Sequence, residues 1–472
     1  MSTDLQSRPT SAAADGPAHE APRGLLPVVL AATFMTSLDV FVVNVALPSL
    51  QADLGAGPAA VQWVIAGFAL ALAVGLVTAA RLGDRYGRRR TFELGLALFT
   101  FASAGCGLAP TAAALVGARV LQGLAAALMG PQVLTILRTA YSGAAQARAF
   151  AMYGLTMGVG AVFGQLIGGV LIRADLFGLD WRSCFLINLP IGLAALAAVR
   201  RCLPESRAPQ PPGLDPVGVL LSTIGLTGLV LPLIQGREQG WPLWTFLLLI
   251  ASAALLAGFV VHQHRSGATG SPLVDTRLFR GRTFAVGMAA QLVFWLGQAS
   301  FFLVLALHLQ LGRGLDALGA GLVFTAIGLG YLLTSTTADR VFARLGHRAV
   351  TLGALLMAAG LGLLVLAVEA GGPTGSVWWL APGLFVDGLG MGLVIAPLTS
   401  VVLAGVAPRL AGSAAGVLAT VQQVAGALGV ALIGLVHYAA DTPAAAFTHS
   451  LAALAALELL LAALLRLLPR SA

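Results

Sequence analysis

The sequence contains no lysine; all 27 of its basic residues are arginine. That absence excludes a Walker-type phosphate loop, whose lysine must reach the phosphates, and it excludes a lysine Schiff base. Charge of either sign is scarce, at 10% of residues, where a soluble domain carries about a quarter. There are three cysteines, Cys106, Cys184 and Cys202. They form no metal or redox spacing and read as small apolar fillers. No HExxH, GxSxG or CxxC stretch occurs. His262 and His264 have no acidic neighbours at ligand spacing, and His308, His437 and His449 are scattered near outer ends; all five read as surface or interface residues, so no metal site is expected. Residues 1–23 are polar, show no signal-peptide pattern, and are expected to form a disordered tail.

Long apolar runs take the place of charge. The chain is 58% hydrophobic, with a mean hydropathy of +0.90. Fourteen apolar segments stand out, at 25–48, 58–80, 91–110, 112–137, 147–172, 183–201, 215–235, 243–262, 283–311, 317–337, 348–369, 377–402, 411–437 and 445–467. A bilayer crossing needs ~20 such residues, and in lipid each crossing must be a helix. The expected fold class is therefore an all-α integral membrane protein with 14 transmembrane helices. The formal charge of +8 does not indicate nucleic acid, because the arginines sit in short loops between apolar runs. With the N-terminus in the cytoplasm, 22 of the 27 arginines fall on the cytoplasmic side. The positive-inside rule then puts both termini in the cytoplasm.

The densest arginine cluster is "RLGDRYGRRRT", residues 81–91, between spans 2 and 3. Anchoring alone does not need Asp84, Gly83 and Gly87 among Arg85, Arg88 and Arg89. Glycines permit a tight turn, and Asp84 can pair with an arginine. A weaker copy, "ARLGHR", follows span 10. Aligning Gly87 with Gly346 sets Arg85 against Arg344 and Arg89 against Arg348. Both copies then lie between the second and third helices of a six-helix half. The expected organisation is a tail at 1–23, a six-helix bundle at 24–202, and a linker with a two-helix insert at 203–264. A cytoplasmic loop at 265–282, a second bundle at 283–467 and a tail at 468–472 complete it. Parallel halves of this kind mark one large transporter class.

Further stretches carry a family resemblance: "LDVFVVNVALP" (Leu38–Pro48), "QWVIAGFALA", "RVLQGLAAALMGP" (Arg119–Pro131), "GVGAVFGQLIGG", "WRSCFLINLPIG" and "GSAAGVLATVQQVAGALGVAL". In this order, with the loop motif, they resemble the major facilitator superfamily, specifically its fourteen-helix drug:proton antiporter branch. The resemblance covers nearly the whole chain. It departs at Ala80, where the loop motif opens with glycine, and at Gln165, where the fifth-helix motif has proline.

An ionisable side chain inside the membrane costs ~3 kcal/mol or more and usually marks function. Asp39 in span 1 and Arg119 in span 4 lie ~13 and ~10 Å from the outer end at helical rise. A direct or water-bridged pair across the central cavity is expected. Asp39 is read as the group that takes up a proton outside and releases it inside, and the resemblance implies that Arg119 tunes it. Asp387 and Glu458, in spans 12 and 14, are candidates for a second proton or a cationic substrate. If Gly123 matches Gly388, Asp387 stands opposite Gln122. Gln165, Gln422, Gln423, Asn44 and Phe68 are substrate-site candidates, and Trp63 and Trp295 could stack on an aromatic ligand. Gly160, Gly164 and Gly168 share a face of span 5 that permits close helix contact, with Gly169 beside it. The loop-motif residues are expected to act as a conformational gate.

The expected function is proton-coupled export of small hydrophobic or amphipathic drugs or metabolites, cations included. The expected place is the bacterial cytoplasmic membrane. The expected partners are protons and the lipid bilayer; the chain is expected to act as a monomer, not as an enzyme, with no cofactor beyond the proton gradient. A narrow metabolite exporter, a proton-coupled uptake system, and a non-transporting membrane sensor or scaffold are the alternatives.

Overall fold

The computed structural model describes residues 22, 24–210, 213–269, 272–372, 375–404, 406, 407 and 410–468. The expected N-terminal tail, apart from residue 22, and the last four residues lie outside the described residues. No strand occurs among the described residues. The helices are α1 (Leu25–Leu54), α2 (Pro58–Tyr86), α3 (Arg88–Gly107), α4 (Ala112–Ala140), α5 (Gly143–Ala174), α6 (Ser183–Leu186), α7 (Asn188–Cys202) and α8 (Pro216–Gln235). They continue as α9 (Leu243–Thr269), α10 (Arg282–Leu307), α11 (Ala317–Ser335), α12 (Ala338–Leu345), α13 (Arg348–Gly371), α14 (Ala381–Ala404), α15 (Ala411–Ala439) and α16 (Pro443–Leu465).

Among the described residues, thirteen helices are long and apolar enough to cross a membrane. The segment expected at 91–110 is the exception. It forms α3, but Arg88, Arg89, Arg90 and Glu93 at its start lower its apolarity. It nonetheless packs along α4 and α7. The segment expected at 183–201 is split at Ile187 into α6 and α7. The short helix α12 was not anticipated; "ARLGHR" spans its end rather than an open loop.

The packing repeats itself. Helix α1 lies against α5 and α7, α2 against α4, and α3 against α4 and α7. Later in the chain α10 lies against α15 and α16, α11 against α14, and α13 against α14 and α16. Between the two groups, α2 meets α15 and α5 meets α11, which are equivalent pairings under this repeat. Helices α8 and α9 pack on each other, and α8 also touches α2 and α15. Two glycine contacts fix the register of the repeat. A Cβ on Gly123 would stand 2.3 Å from the Phe68 carbonyl oxygen, and one on Gly388 would stand 2.1 Å from that of Ile327. Gly123 therefore does match Gly388, and Gln122 matches Asp387.

The arginine-rich stretch is built differently from a two-glycine turn. Gly83 lies inside α2, where a Cβ would collide with the Gln132 side chain at 2.0 Å. The turn rests on Gly87 alone, at φ 116°, a conformation that glycine adopts without a steric cost. Gly346 has φ 57° at the end of α12, so both copies of the motif change direction on a left-handed glycine.

Candidate functional site

Helices α1, α2, α4, α5, α10, α11, α14 and α15 enclose a central cavity of about 360 Å³, within the range of small-molecule sites. Gln165, Gln422, Gln423, Asn44, Phe68 and Trp295, all singled out from sequence, line it. Trp63 is not among the lining residues. Residues that sequence reasoning missed include Gln298, Tyr331 and Phe302. Gln298 had a signal, since an amide in an apolar helix costs free energy unless it finds a partner.

One end of the cavity is shut. At the end away from the arginine cluster, a Cβ on Gly169 would stand 2.6 Å from the Ala317 carbonyl oxygen. One on Gly321 would stand 2.8 Å from that of Gln165. Arg173 and Asp316 pair there at 2.5 Å. Toward the arginine-rich end, Cβ atoms on Gly154 and Gly158 would meet nothing within 4 Å. The Gly160, Gly164 and Gly168 stripe serves another contact. It packs on Ser37, Phe41 and Val42 of α1, in the same group of helices. The surface between the two groups uses Gly169, Gly321 and Gly328 instead.

Asp39 and Arg119 form a direct ion pair, 0% and 1% exposed. It does not reach across the cavity. Both partners belong to the first group of helices; Arg119 lies at the cavity wall while Asp39 does not line it. The pair is held from several sides. Gln122 accepts from Arg119 at 2.7 Å and donates to Asp39 at 2.7 Å and to Ser103 at 2.8 Å. Asn188, at the start of α7, donates to Asp39 at 3.2 Å. The Arg119 Nε donates to the Val64 carbonyl at 3.0 Å, and its guanidinium lies 4.3 Å from the centre of the Phe68 ring. This shell of hydrogen bonds offsets the desolvation that a buried pair must bear. Ser103 and Asn188 were not singled out from sequence, because polar residues of this size are common in helices that pack closely.

The second group holds two buried carboxyls instead of a pair. Asp387 and Glu458 are 1% and 2% exposed, and neither lines the cavity. An oxygen of each, Oδ2 and Oε2, has no hydrogen-bond partner among the described residues.

At the arginine-rich end, Asp84 pairs with Arg88 at 2.9 Å. Arg89 instead reaches Glu205, through its backbone N–H at 3.1 Å and its side chain at 3.8 Å. Arg344 and Arg348 are exposed. Arg81 is buried and donates to the carbonyls of Gly213, at 2.6 Å, and Pro272. Nearby, Asp215 caps α8 and accepts from His262 and Gln263, both at 2.8 Å. His262 thus has an acidic partner 47 residues away in sequence. Burial alone would raise the Asp215 pKa, but the bonds from Gln263, His262 and the Gly218 N–H outweigh it and hold it below the ordinary value. No group of ligands that could hold a metal occurs among the described residues.

The family model of the Major Facilitator Superfamily matches residues 29–430. The chain belongs to the major facilitator superfamily. A probable actinorhodin transporter of Streptomyces coelicolor is 43% identical over 91% of this chain and 75% of its own. A puromycin resistance protein of Streptomyces alboniger is 36% identical, over 92% and 85%. A multidrug resistance protein of Mycobacterium tuberculosis is 33% identical, over 85% and 73%. Among solved structures, a POT family transporter bound to a thioalcohol-conjugated peptide superposes with a TM-score of 0.70 at 15% identity, over 93% of this chain and 97% of that one. That likeness speaks for the superfamily fold alone. With its apolar helices, membership makes this a multi-pass protein of the bacterial cytoplasmic membrane.

Proposed function

We propose that this protein exports a small hydrophobic or amphipathic compound across the cytoplasmic membrane by alternating access, driven by inward proton flow. It acts as a transporter rather than an enzyme, as a monomer and without a cofactor. The observation that carries the reading is the central cavity between two matching groups of helices, shut at one end and with Arg119 of a buried ion pair at its wall. The names of the relatives, which include antibiotic transport and multidrug resistance, support export. In this reading α3 is the fourteenth crossing, and its start lies at the membrane surface. Both termini are then cytoplasmic, and the arginine-rich end faces the cytoplasm. The cavity is accordingly closed to the outside. The units at 24–202 and 283–467 rock against each other along α5–α11 and α2–α15, while the insert at 203–264 rides on α2 and α15.

Asp39 carries the coupling proton in this mechanism. While Arg119 holds it, Asp39 is ionised and its route to the cavity is blocked. When the cavity opens outward and Arg119 swings aside, an unpaired carboxylate in an apolar site takes a proton, because an isolated buried charge is costly. Return of Arg119 expels the proton inward. Asp387 and Glu458 form a second proton reserve, since neither pairs with a cation among the described residues. Asp84, Arg85, Arg88 and Arg89, with Arg344 and Arg348 of the other unit, meet when the cytoplasmic end closes and act as the gate. The test uses everted vesicles energised by respiration. Addition of a transported compound should partly collapse the pH gradient; active substrate uptake with an unchanged gradient would refute proton coupling.

A further inference from the structure

Trp295 of α10 and Gln422 of α15 line the cavity from the second group of helices. One side chain behind them holds both. Gln291 of α10 is 1% exposed and is not among the lining residues. Its Oε1 accepts from the Trp295 indole at 2.9 Å and from Gln422 Nε2 at 3.2 Å. Its Nε2 donates to the Thr399 hydroxyl of α14 at 3.3 Å. Thr399 in turn donates to the carbonyl of Ile395, another lining residue, at 3.0 Å. Gln291 and Trp295 stand four residues apart on one helix and so share a face. Gln422 and Thr399 reach them from two other helices.

The direction of every bond in this chain is fixed by its neighbours. An indole N–H only donates, so the Gln291 atom beside Trp295 is its oxygen. A hydroxyl has one proton to give, and that of Thr399 goes to Ile395, so the Gln291 atom beside Thr399 is its nitrogen. Two independent contacts thus set the same orientation of the amide. The Gln422 atom that meets the Gln291 oxygen must then be its nitrogen, which leaves the Gln422 carbonyl as the end available to the cavity. Trp295 has its N–H occupied and offers the cavity its ring. A glutamine loses much rotamer freedom when it is fixed, and a compound that must order such a side chain on arrival binds more weakly for it. Here the ordering is done beforehand.

We infer that Gln291 is a positioning residue for transport: without touching the transported compound, it sets the indole plane of Trp295 and the amide of Gln422 before that compound arrives. The inference rests on the export reading in taking the central cavity as the site of transport. Its effect falls on the binding step and not on the rocking that follows.

The first readout is fluorine NMR of the full-length chain in nanodiscs, labelled with fluorotryptophan. The Trp295 line is identified by its loss in Trp295→Phe. It should be single in wild type. In Gln291→Leu, which has neither acceptor nor donor, it should move and broaden. Gln291→Glu keeps an acceptor oxygen beside Trp295 and Gln422 in either protonation state and should bring the line most of the way back. Thr399→Val removes only the acceptor behind Gln291; it should broaden the line too, and it decides the matter where Gln291→Leu does not fold. An unmoved, single line in the folded Gln291→Leu variant, or in Thr399→Val where that variant fails, overturns the inference.

The second readout is ethidium uptake by everted, energised vesicles. The KM of Gln291→Leu should rise about threefold to tenfold, with the maximal rate kept, and should return toward wild type in Gln291→Glu. A moved line with an unchanged KM would confine Gln291 to a structural role and overturn the inference. Wild-type vesicles that take up no ethidium would count against the export reading alone, and the Trp295 line would still decide whether Gln291 positions the cavity wall.

Discussion

The carboxyl of Glu458 on α16 lies where a side chain on Gly297 of α10 would stand: a Cβ there would be 3.3 Å from Glu458 Oε1. Gly297 in turn occupies the place of Asp39. Gly164 closes on the Leu38 carbonyl of α1, and Gly429 closes on the Leu296 carbonyl of α10, at 3.5 and 2.0 Å from the built Cβ. One residue further along lie Asp39 and Gly297. Each group of helices thus places a carboxyl at the same level of its interior, once from its first helix and once from its last. Among the described residues, only the first group supplies an arginine to it.

That asymmetry separates two kinds of substitution. Glu458→Gln and Asp387→Asn replace carboxyls that pair with no cation among the described residues, so they should unfold within a few degrees of wild type. Substrate-driven proton release should nonetheless fall in both. Thermal unfolding of the purified variants, run beside the vesicle assay, checks this. A loss of stability on the scale of a broken ion pair would mean that an unseen cation is bound there.

Breaking the first pair should cost more. Arg119→Leu leaves Asp39 buried with only Gln122 and Asn188 as donors, and removing one partner of a buried pair typically costs about 3–5 kcal/mol. The double variant Asp39→Leu with Arg119→Leu should recover much of that stability without recovering transport. Denaturation midpoints of the single and double variants read the coupling directly. Additive losses would show that the two side chains do not stabilise each other.

Gly169→Val should shift the population of states. Its side chain would enter the space held by Ala317 and Leu318, and backbone cannot yield there as a flexible side chain can. The end that is shut in this structure should open more often. A cysteine placed at Asn44 should then react faster with an impermeant maleimide added outside whole cells. Unchanged labelling, with normal expression, would mean that the α5–α11 contact does not close the cavity.

The joint at Asp215 should weaken in acid. Its folded pKa lies below the ordinary value, so the stability it confers is present above the unfolded pKa of ~3.9 and is lost as pH falls through the folded one. Asp215→Asn should remove that part of the acid dependence and lower stability by about 1–3 kcal/mol. Unfolding followed between neutral pH and pH ~3 distinguishes the two proteins.

Much of this was legible in the sequence because lipid restricts what a chain can do. Apolar runs of span length gave thirteen helices nearly in place, and the match of Gly123 with Gly388 survived in their equivalent contacts with α2 and α11. Helix α3 was equally legible as a segment, although its charged start keeps it below the apolarity of the others. Gln165, Gln422 and Gln423 were found because amides are conspicuous among Leu, Val and Ala. What could not be read was which neighbour each side chain takes. Asp39 has its partners on α4 and α7, and His262 meets Asp215, through packing of distant segments that no spacing encodes. Gly83 looked like a turn residue beside Gly87, but it is there because Gln132 needs its space.

The central claim is that Asp39 carries the coupling proton. The most direct measurement compares wild type with Asp39→Asn in everted, energised vesicles, following substrate uptake and the pH gradient together. Asparagine keeps the shape and can still accept from Arg119, but it leaves the Arg119 charge unpaired, so the two proteins are compared at a temperature at which both are shown to be folded. The account predicts that uptake against the gradient and substrate-induced proton release both vanish, while binding to the purified variant remains. Wild-type uptake and proton release in Asp39→Asn would contradict it and move the coupling to Asp387 and Glu458.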